Sequence, residues 1–217
     1  MLPYLQSANP VLMRGALIGL DSLLRTDRSG MGAGVAARAE SAILAAAERV
    51  VKIGDPELAS SFATTLGAVQ DPRASDLLWS FVRHGVAREQ SLSVITWRKD
   101  VRDLARLGSL LIEPASGDLL QTELSSLPSA LRNAYGEAAL PFLEAGVQKS
   151  RYVFVRTGCA RELVLAGRGL GFSFIVDAIE GNRLYRMEMT QFVRDSFPEI
   201  RGASVEELLV FLKQRAK

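Results

Sequence analysis

One cysteine and one histidine in 217 residues set the first limits on what this chain can do. A disulfide needs two cysteines, so none closes within the chain, and a Cys-rich metal site is excluded in the same way. Cys159 stands between Gly158 and Ala160 in an apolar setting, where it reads as a small core residue. One histidine and one cysteine make a zinc site only with several carboxylates, and no His-Glu-x-x-His or paired Glu-x-x-His spacing occurs. His84, just before Gly85, falls at the exposed C-terminal turn of an expected helix, where the negative end of the helix dipole accounts for it. No nucleophile with an adjacent base is apparent. The sequence therefore assigns no catalytic residue, no metal ligand and no cofactor.

Charge of either sign is also scarce in excess. The 26 basic and 24 acidic residues leave a formal net charge of +2, far below the surplus of a dedicated nucleic-acid binder. No stretch of about 18 uninterrupted apolar residues is present, and residues 1–20 lack a basic segment leading into a long apolar run. A soluble, cytoplasmic protein with no membrane partner is the expectation. Strand signals are almost missing. The one long glycine-rich break, Thr26 to Gly34, has neither a preceding strand nor a Gly-Lys-Ser/Thr ending, so it reads as a flexible connection and not as a phosphate cradle.

What the chain does have is helix punctuation. Hydrophobic residues make up 48%, enough for a buried core in a chain of this length. Asn9-Pro10, Asp55-Pro56 and Asp71-Pro72 each place a capping side chain before a proline at the first helical position, where the missing N–H costs nothing. From Pro10 to about Arg25, Leu12, Ala16, Leu20 and Leu24 define an expected packing face. Over residues 35–53 the stripe is Ala39, Ile43, Ala46, Val50 and Ile53. Val86 to Trp97, Asp100 to Ile112 and Arg151 to Ala166 read as further helices, the last apolar around most of its circumference, as a helix between two neighbours should be. Ser204 followed by Glu207 is the capping-box spacing of a terminal helix.

The organising unit is Ser60 to Gly85, two short helices joined at Asp71-Pro72. Phe62, Ala63, Leu66 and Val69 line the first, and Ala74, Leu77, Leu78, Phe81 and Val82 the second. Neither face can be buried by the hairpin alone, so such pairs must stack. Leu66, Gly67, Asp71, Pro72 and Ala74 form an L-G-x-x-x-D-P-x-A pattern that resembles a HEAT repeat of the short bacterial type, also called PBS-lyase HEAT-like. Gly67 finds looser echoes in Gly108, Gly136 and Gly167, at intervals of roughly 30 to 40 residues. The glycine is expected to let the second helix of a pair fold back closely on the first. The resemblance implies an all-α fold, a right-handed α-solenoid of about five degenerate HEAT-like helix pairs in a single domain over residues 1–217. N-terminal helices would occupy 1–54, the repeat stack 55–196 and a C-terminal capping helix 203–217.

Two features stand out as a candidate binding surface. Trp79 falls just beyond the apolar arc of its helix beside Arg83, which makes it partly exposed or packed against the next repeat. Arg98, Arg102 and Arg106 fall at i, i+4 and i+8, with Trp97 just before them, a basic stripe with an aromatic neighbour able to meet phosphate, an acidic peptide or a nucleic-acid backbone. A solvated face partly paired with Asp100 and Asp103 explains the same arginines and is preferred, because arginine is frequent throughout. Asp100, Asp103, Glu206 and Glu207 themselves read as solvated helix-surface charge. The expected function is a non-catalytic scaffold presenting a concave repeat surface to a protein or peptide. The alternatives that the resemblance implies are a nucleic-acid-binding protein similar to the alkylpurine DNA glycosylases and a chromophore-attachment factor similar to the bilin lyases.

Overall fold

A computed structural model describes residues 1–26, 30, 32–113, 121–181 and 183–217. Among these residues the chain is all-α, with no strand and twelve α-helices: α1 (Pro10–Thr26), α2 (Ala33–Ile53), α3 (Pro56–Leu66), α4 (Arg73–His84), α5 (Arg88–Arg98), α6 (Val101–Ile112), α7 (Gln121–Tyr135), α8 (Leu140–Lys149), α9 (Val153–Leu165), α10 (Gly169–Gly181), α11 (Arg183–Ser196) and α12 (Val205–Arg215). Short 3-10 turns lie at Leu2–Gln6, Gly136–Ala139 and Pro198–Ile200. No helix among the described residues is long and apolar enough to cross a membrane. The expected connection from Thr26 to Gly34 includes residues 27–29 and 31, which lie outside the described residues. The helices divide into two compact units, Met1–Asp103 and Leu104–Lys217.

In the first unit the capping residues act as their types dictate. Asn9 Oδ1 accepts the Val11 N–H at 2.9 Å, and Asp55 Oδ1 accepts the N–H groups of Glu57 and Leu58, both at 3.0 Å. Asp71 Oδ1 accepts the Arg73 N–H at 2.8 Å, opening α4. The helices then meet both first and second neighbours: α1 packs on α3, α2 on α3 and α4, α3 on α4 and α5, and α4 on α5. Phe62, Ala63 and Leu66 on α3, with Val69 beyond its end, are at most 1% exposed.

The α1 face differs from the sequence expectation. Met13, Ala16, Leu17, Leu20 and Leu24 are buried, whereas Leu12 is 47% exposed. Strict four-residue steps drift by about 40° each around a helix of 3.6 residues per turn, which carries Leu12 off the face that Leu24 shares. Ile53 is likewise exposed at the end of α2. On α4, Ala74, Leu78, Phe81 and Val82 are buried as expected, but Leu77 is only half-buried.

The glycine echoes also turn out to be unlike one another. A Cβ on Gly67 would lie 3.0 Å from the Thr64 carbonyl oxygen and 3.1 Å from Val94 Cγ1. The close neighbour is therefore α5, the second helix along, and not the α4 partner of the hairpin. A Cβ on Gly108, inside α6, would collide with the Phe142 ring of α8. Gly136 and Gly167 have φ of +57° and +70° with open space around them, so they serve turns and not close approach. One sequence position thus performs two different physical tasks.

In the second unit α9 touches α7, α8 and α10, as its all-round apolarity requires. Its Gly158 faces Pro128, which sits inside α7: a Cβ at 158 would be 3.1 Å from the proline Cγ. Cys159 is fully buried, and burial pushes its thiol up to about 12. The α8, α9 and α11 helices all meet α10, and α12 closes on α10. Its capping box is complete, with Ser204 Oγ accepting the Glu207 N–H at 3.2 Å and Glu207 Oε2 accepting the Ser204 N–H at 2.8 Å.

Leu78→Ala should cost about 2–5 kcal/mol of stability through the cavity it leaves, and half-buried Leu77→Ala distinctly less. Equal denaturant midpoints for the two variants would contradict this assignment of the α4 face. The Cys159 thiol, protonated and closed off, should ignore Ellman's reagent until the chain is unfolded in denaturant, when one equivalent reacts.

Candidate binding groove

A helix leaves its last four carbonyls unpaired, and their partial negative charge attracts cations. At the C-terminal end of α3 two arginines answer that demand. Arg98, the last residue of α5, donates from Nη1 to the carbonyls of Leu66 at 2.7 Å and Val69 at 2.5 Å. Arg25, near the end of α1, donates from Nη2 to the Thr64 carbonyl at 2.8 Å while its Nε is held by the Asp21 carboxylate at 3.0 Å. Burial lowers the Arg98 pKa from its ordinary value, against the opposing charges of Asp100 and Asp103.

Beside these carbonyls lies an open groove of about 710 Å³, lined by Leu24, Arg25, residues 67–70, Trp97, Arg98 and Asp100. Trp97 stands at its lip with 61% of its surface exposed. The Arg25 guanidinium carbon is 5.6 Å from the indole ring centre, a cation–π distance. Gly67 underlies the other side of the contact, with its Cβ position 3.6 Å from Trp97 Cζ3. The Gln70 N–H on the floor is already taken by Glu40 Oε1 at 3.0 Å.

The residues of the expected basic stripe are not one line on one helix. Lys99, in a left-handed conformation at φ +54°, ends α5 before α6 begins. This break separates Arg98 from Arg102 and Arg106, and turns Arg98 inward to cap α3. Asp100 then opens α6, accepting the Arg102 N–H at 3.0 Å. Arg102 also pairs with the Asp100 carboxylate through its side chain, which holds that carboxyl below the usual range. Arg102 and Arg106 are exposed on α6, and Arg83 is exposed in the last turn of α4. None of these three lines the groove.

Trp79 and Asp103 are where surface expectations give way to burial. Trp79 is 5% exposed and Asp103 only 1%. The indole Nε1–H donates to Asp103 Oδ1 at 2.8 Å, and the Ser75 hydroxyl donates to Oδ2. Asp103 is thus not solvated surface charge: it sits in the first turn of α6, beside the positive helix end, and accepts from two neutral donors. Trp79 leaves the candidate surface for the same reason. His84 is exposed at the end of α4, with Nδ1 2.8 Å from the Ser80 carbonyl oxygen. Among the described residues no cluster of three or more His, Cys, Asp or Glu side chains could hold a metal ion.

Sequence reasoning picked out Trp97 and Arg98 but missed Arg25 and residues 67–70, because helices distant in the chain bring them together. The only sequence signal for Arg25 is its place in the last turn of an amphipathic helix. No family model, curated protein or solved structure matches the chain.

Replacing Asp103 by alanine should destabilise the protein by about 2–5 kcal/mol, since it strands two buried donors, Ser75 and Trp79. Replacing exposed Arg102 by alanine should change stability by less than about 1 kcal/mol. Chemical denaturation of the two variants side by side measures the contrast.

Proposed function

We propose that the chain is a non-catalytic binding scaffold built from degenerate HEAT-like helix pairs, about five along its length in right-handed solenoid order. Its first unit, in this reading, docks a protein or peptide segment in the groove at the end of α3. The contacts between second-neighbour helices inside each unit support the repeat reading, because stacked pairs bury their faces in that way. The observation that carries the functional reading is Trp97: a 61% exposed indole over an open groove whose two arginines are already anchored. Exposed tryptophan and anchored arginine are the side chains that dominate binding energy at protein interfaces. The anchored guanidiniums lose little freedom on binding.

The same geometry weakens the nucleic-acid alternative. Arg98 is committed to carbonyls and Arg102 to Asp100, so the stripe offers less to a phosphate backbone than three aligned arginines would. Weak duplex DNA binding at low salt is expected, and Arg102→Ala with Arg106→Ala should leave its salt dependence nearly unchanged. Two lost phosphate contacts would instead flatten the slope by about 2 units.

A peptide-array screen followed by fluorescence titration tests the scaffold reading. Trp79 is buried and Trp97 exposed, so a docked peptide should shift Trp97 emission to the blue and protect it from acrylamide. Trp97→Ala should weaken peptide binding at least about tenfold while altering stability by less than about 1 kcal/mol. Peptides that bind the Trp97→Ala variant as well as the parent would refute docking at this groove.

A further inference from the structure

A second groove, in the other unit, carries chemistry that peptide docking at Trp97 does not use. On α11, Arg186, Thr190 and Arg194 follow one another at four-residue steps, and together with Met187, Gln191 and Val205 they line a recess of about 300 Å³. None of the lining side chains is a carboxylate. In this unit Arg161 pairs with Glu188 and Arg168 with Glu144, whereas Arg156 donates to the Val147 carbonyl. Among the described residues neither Arg186 nor Arg194 forms an ion pair. Each is instead pinned by one backbone carbonyl: Arg186 Nε donates to Ile179 at 2.8 Å and Arg194 Nη2 donates to Ala203 at 2.7 Å. Their guanidiniums are positioned, charged and not neutralised.

Thr190 supplies an independent sign of a missing partner. It is 6% exposed, and its Oγ1 is buried with no hydrogen bond; Arg194 Nε is in the same condition. Threonines within helices of this chain ordinarily donate to the carbonyl four residues back, as Thr64, Thr65 and Thr96 do. Thr190 forgoes that bond although it lines the groove. The hydroxyl is out of solvent contact in this conformer, and a χ1 rotation is enough to exchange it with another Cβ substituent. Val205, the first residue of α12, also lines the recess. The neighbouring carboxylates are occupied or outside the lining: Glu188 pairs with Arg161, Asp195 accepts from Gln191, Glu207 folds back into its capping box, and Glu206 is exposed.

We propose that this recess binds the phosphate group of a small phosphorylated molecule. Arg186 and Arg194 would supply the charge, Thr190 a hydroxyl donor, and Met187 and Val205 an apolar wall. Two guanidiniums and a hydroxyl approaching from different side chains match a group with three or more acceptor oxygens better than a two-oxygen carboxylate. The volume lies at the small end of ligand sites, which fits a small molecule and not a polymer.

Phenyl phosphate, titrated into the full chain at constant ionic strength and followed by calorimetry and phosphorus NMR, tests the proposal. Saturable binding is expected, with benzoate at least about tenfold weaker. Thr190→Val removes a hydroxyl that has no partner, so it should leave stability equal or raised while weakening phenyl phosphate about threefold to tenfold. Arg186→Gln should weaken it by a similar or larger factor, and Trp97→Ala should leave it unchanged. Three results would each overturn the site: no saturable binding at millimolar phenyl phosphate, benzoate binding equally well, or full affinity in a folded Thr190→Val variant.

Discussion

The carbonyls at the end of α3 are the constraint around which the first unit is arranged. They have no helical partner four residues on; Thr64 and Leu66 accept only turn bonds from Gly67 and Val69, and their outward negative end still draws cations. Arg98 reaches them from α5 and Arg25 from α1, so one polar demand ties together three helices that are far apart in the chain. The apolar contacts of the same helices agree with this: α1 and α5 both pack on α3. Because Arg98 points inward, the adjacent Trp97 is left at the rim, and the groove opens beside it. The candidate site is therefore a by-product of how a helix end is satisfied.

A second polar cluster supports the same corner. Asp103 accepts from Ser75 and Trp79 of α4 while standing in the first turn of α6. The left-handed Lys99 and the capping Asp100 set the start of that helix, and so set where Asp103 falls. Buried carboxylates are tolerated when donors, a helix N-terminus and a nearby cation act together. All three are present here. The arrangement explains why an indole that sequence periodicity places outside the apolar arc is nonetheless buried.

Arginine chemistry runs through the whole chain in different forms. Arg102 and Arg73 pair with aspartates two residues away, Arg161 and Arg168 with glutamates on other helices, and Arg25 and Arg98 with carbonyls. Arg186 and Arg194, like Arg98 and Arg156, have a carbonyl anchor and no ion pair among the described residues, and Arg186 and Arg194 both line one recess. The small net charge of +2 averages over these local differences. Binding properties follow from which arginines are already committed, and overall charge does not report that.

The sequence by itself determined the class of the fold and most helix boundaries. Capping chemistry is local: Asn9, Asp55 and Asp71 bond to backbone groups two or three residues on, and Ser204 with Glu207 closes its own box. Helical periodicity is local as well, which is why Phe62, Leu66, Leu78 and Phe81 were legible as core. The α7 and α11 helices gave weaker signals, one interrupted by Pro128 and the other rich in charge. Only the tertiary structure decided that Gly67 meets Val94 and Gly108 meets Phe142, that Asp103 and Trp79 are buried partners, and that Arg98 leaves the stripe to cap α3. Those outcomes depend on residues 24 or more positions apart, and spacing along one helix carries no information about what a second helix brings to it.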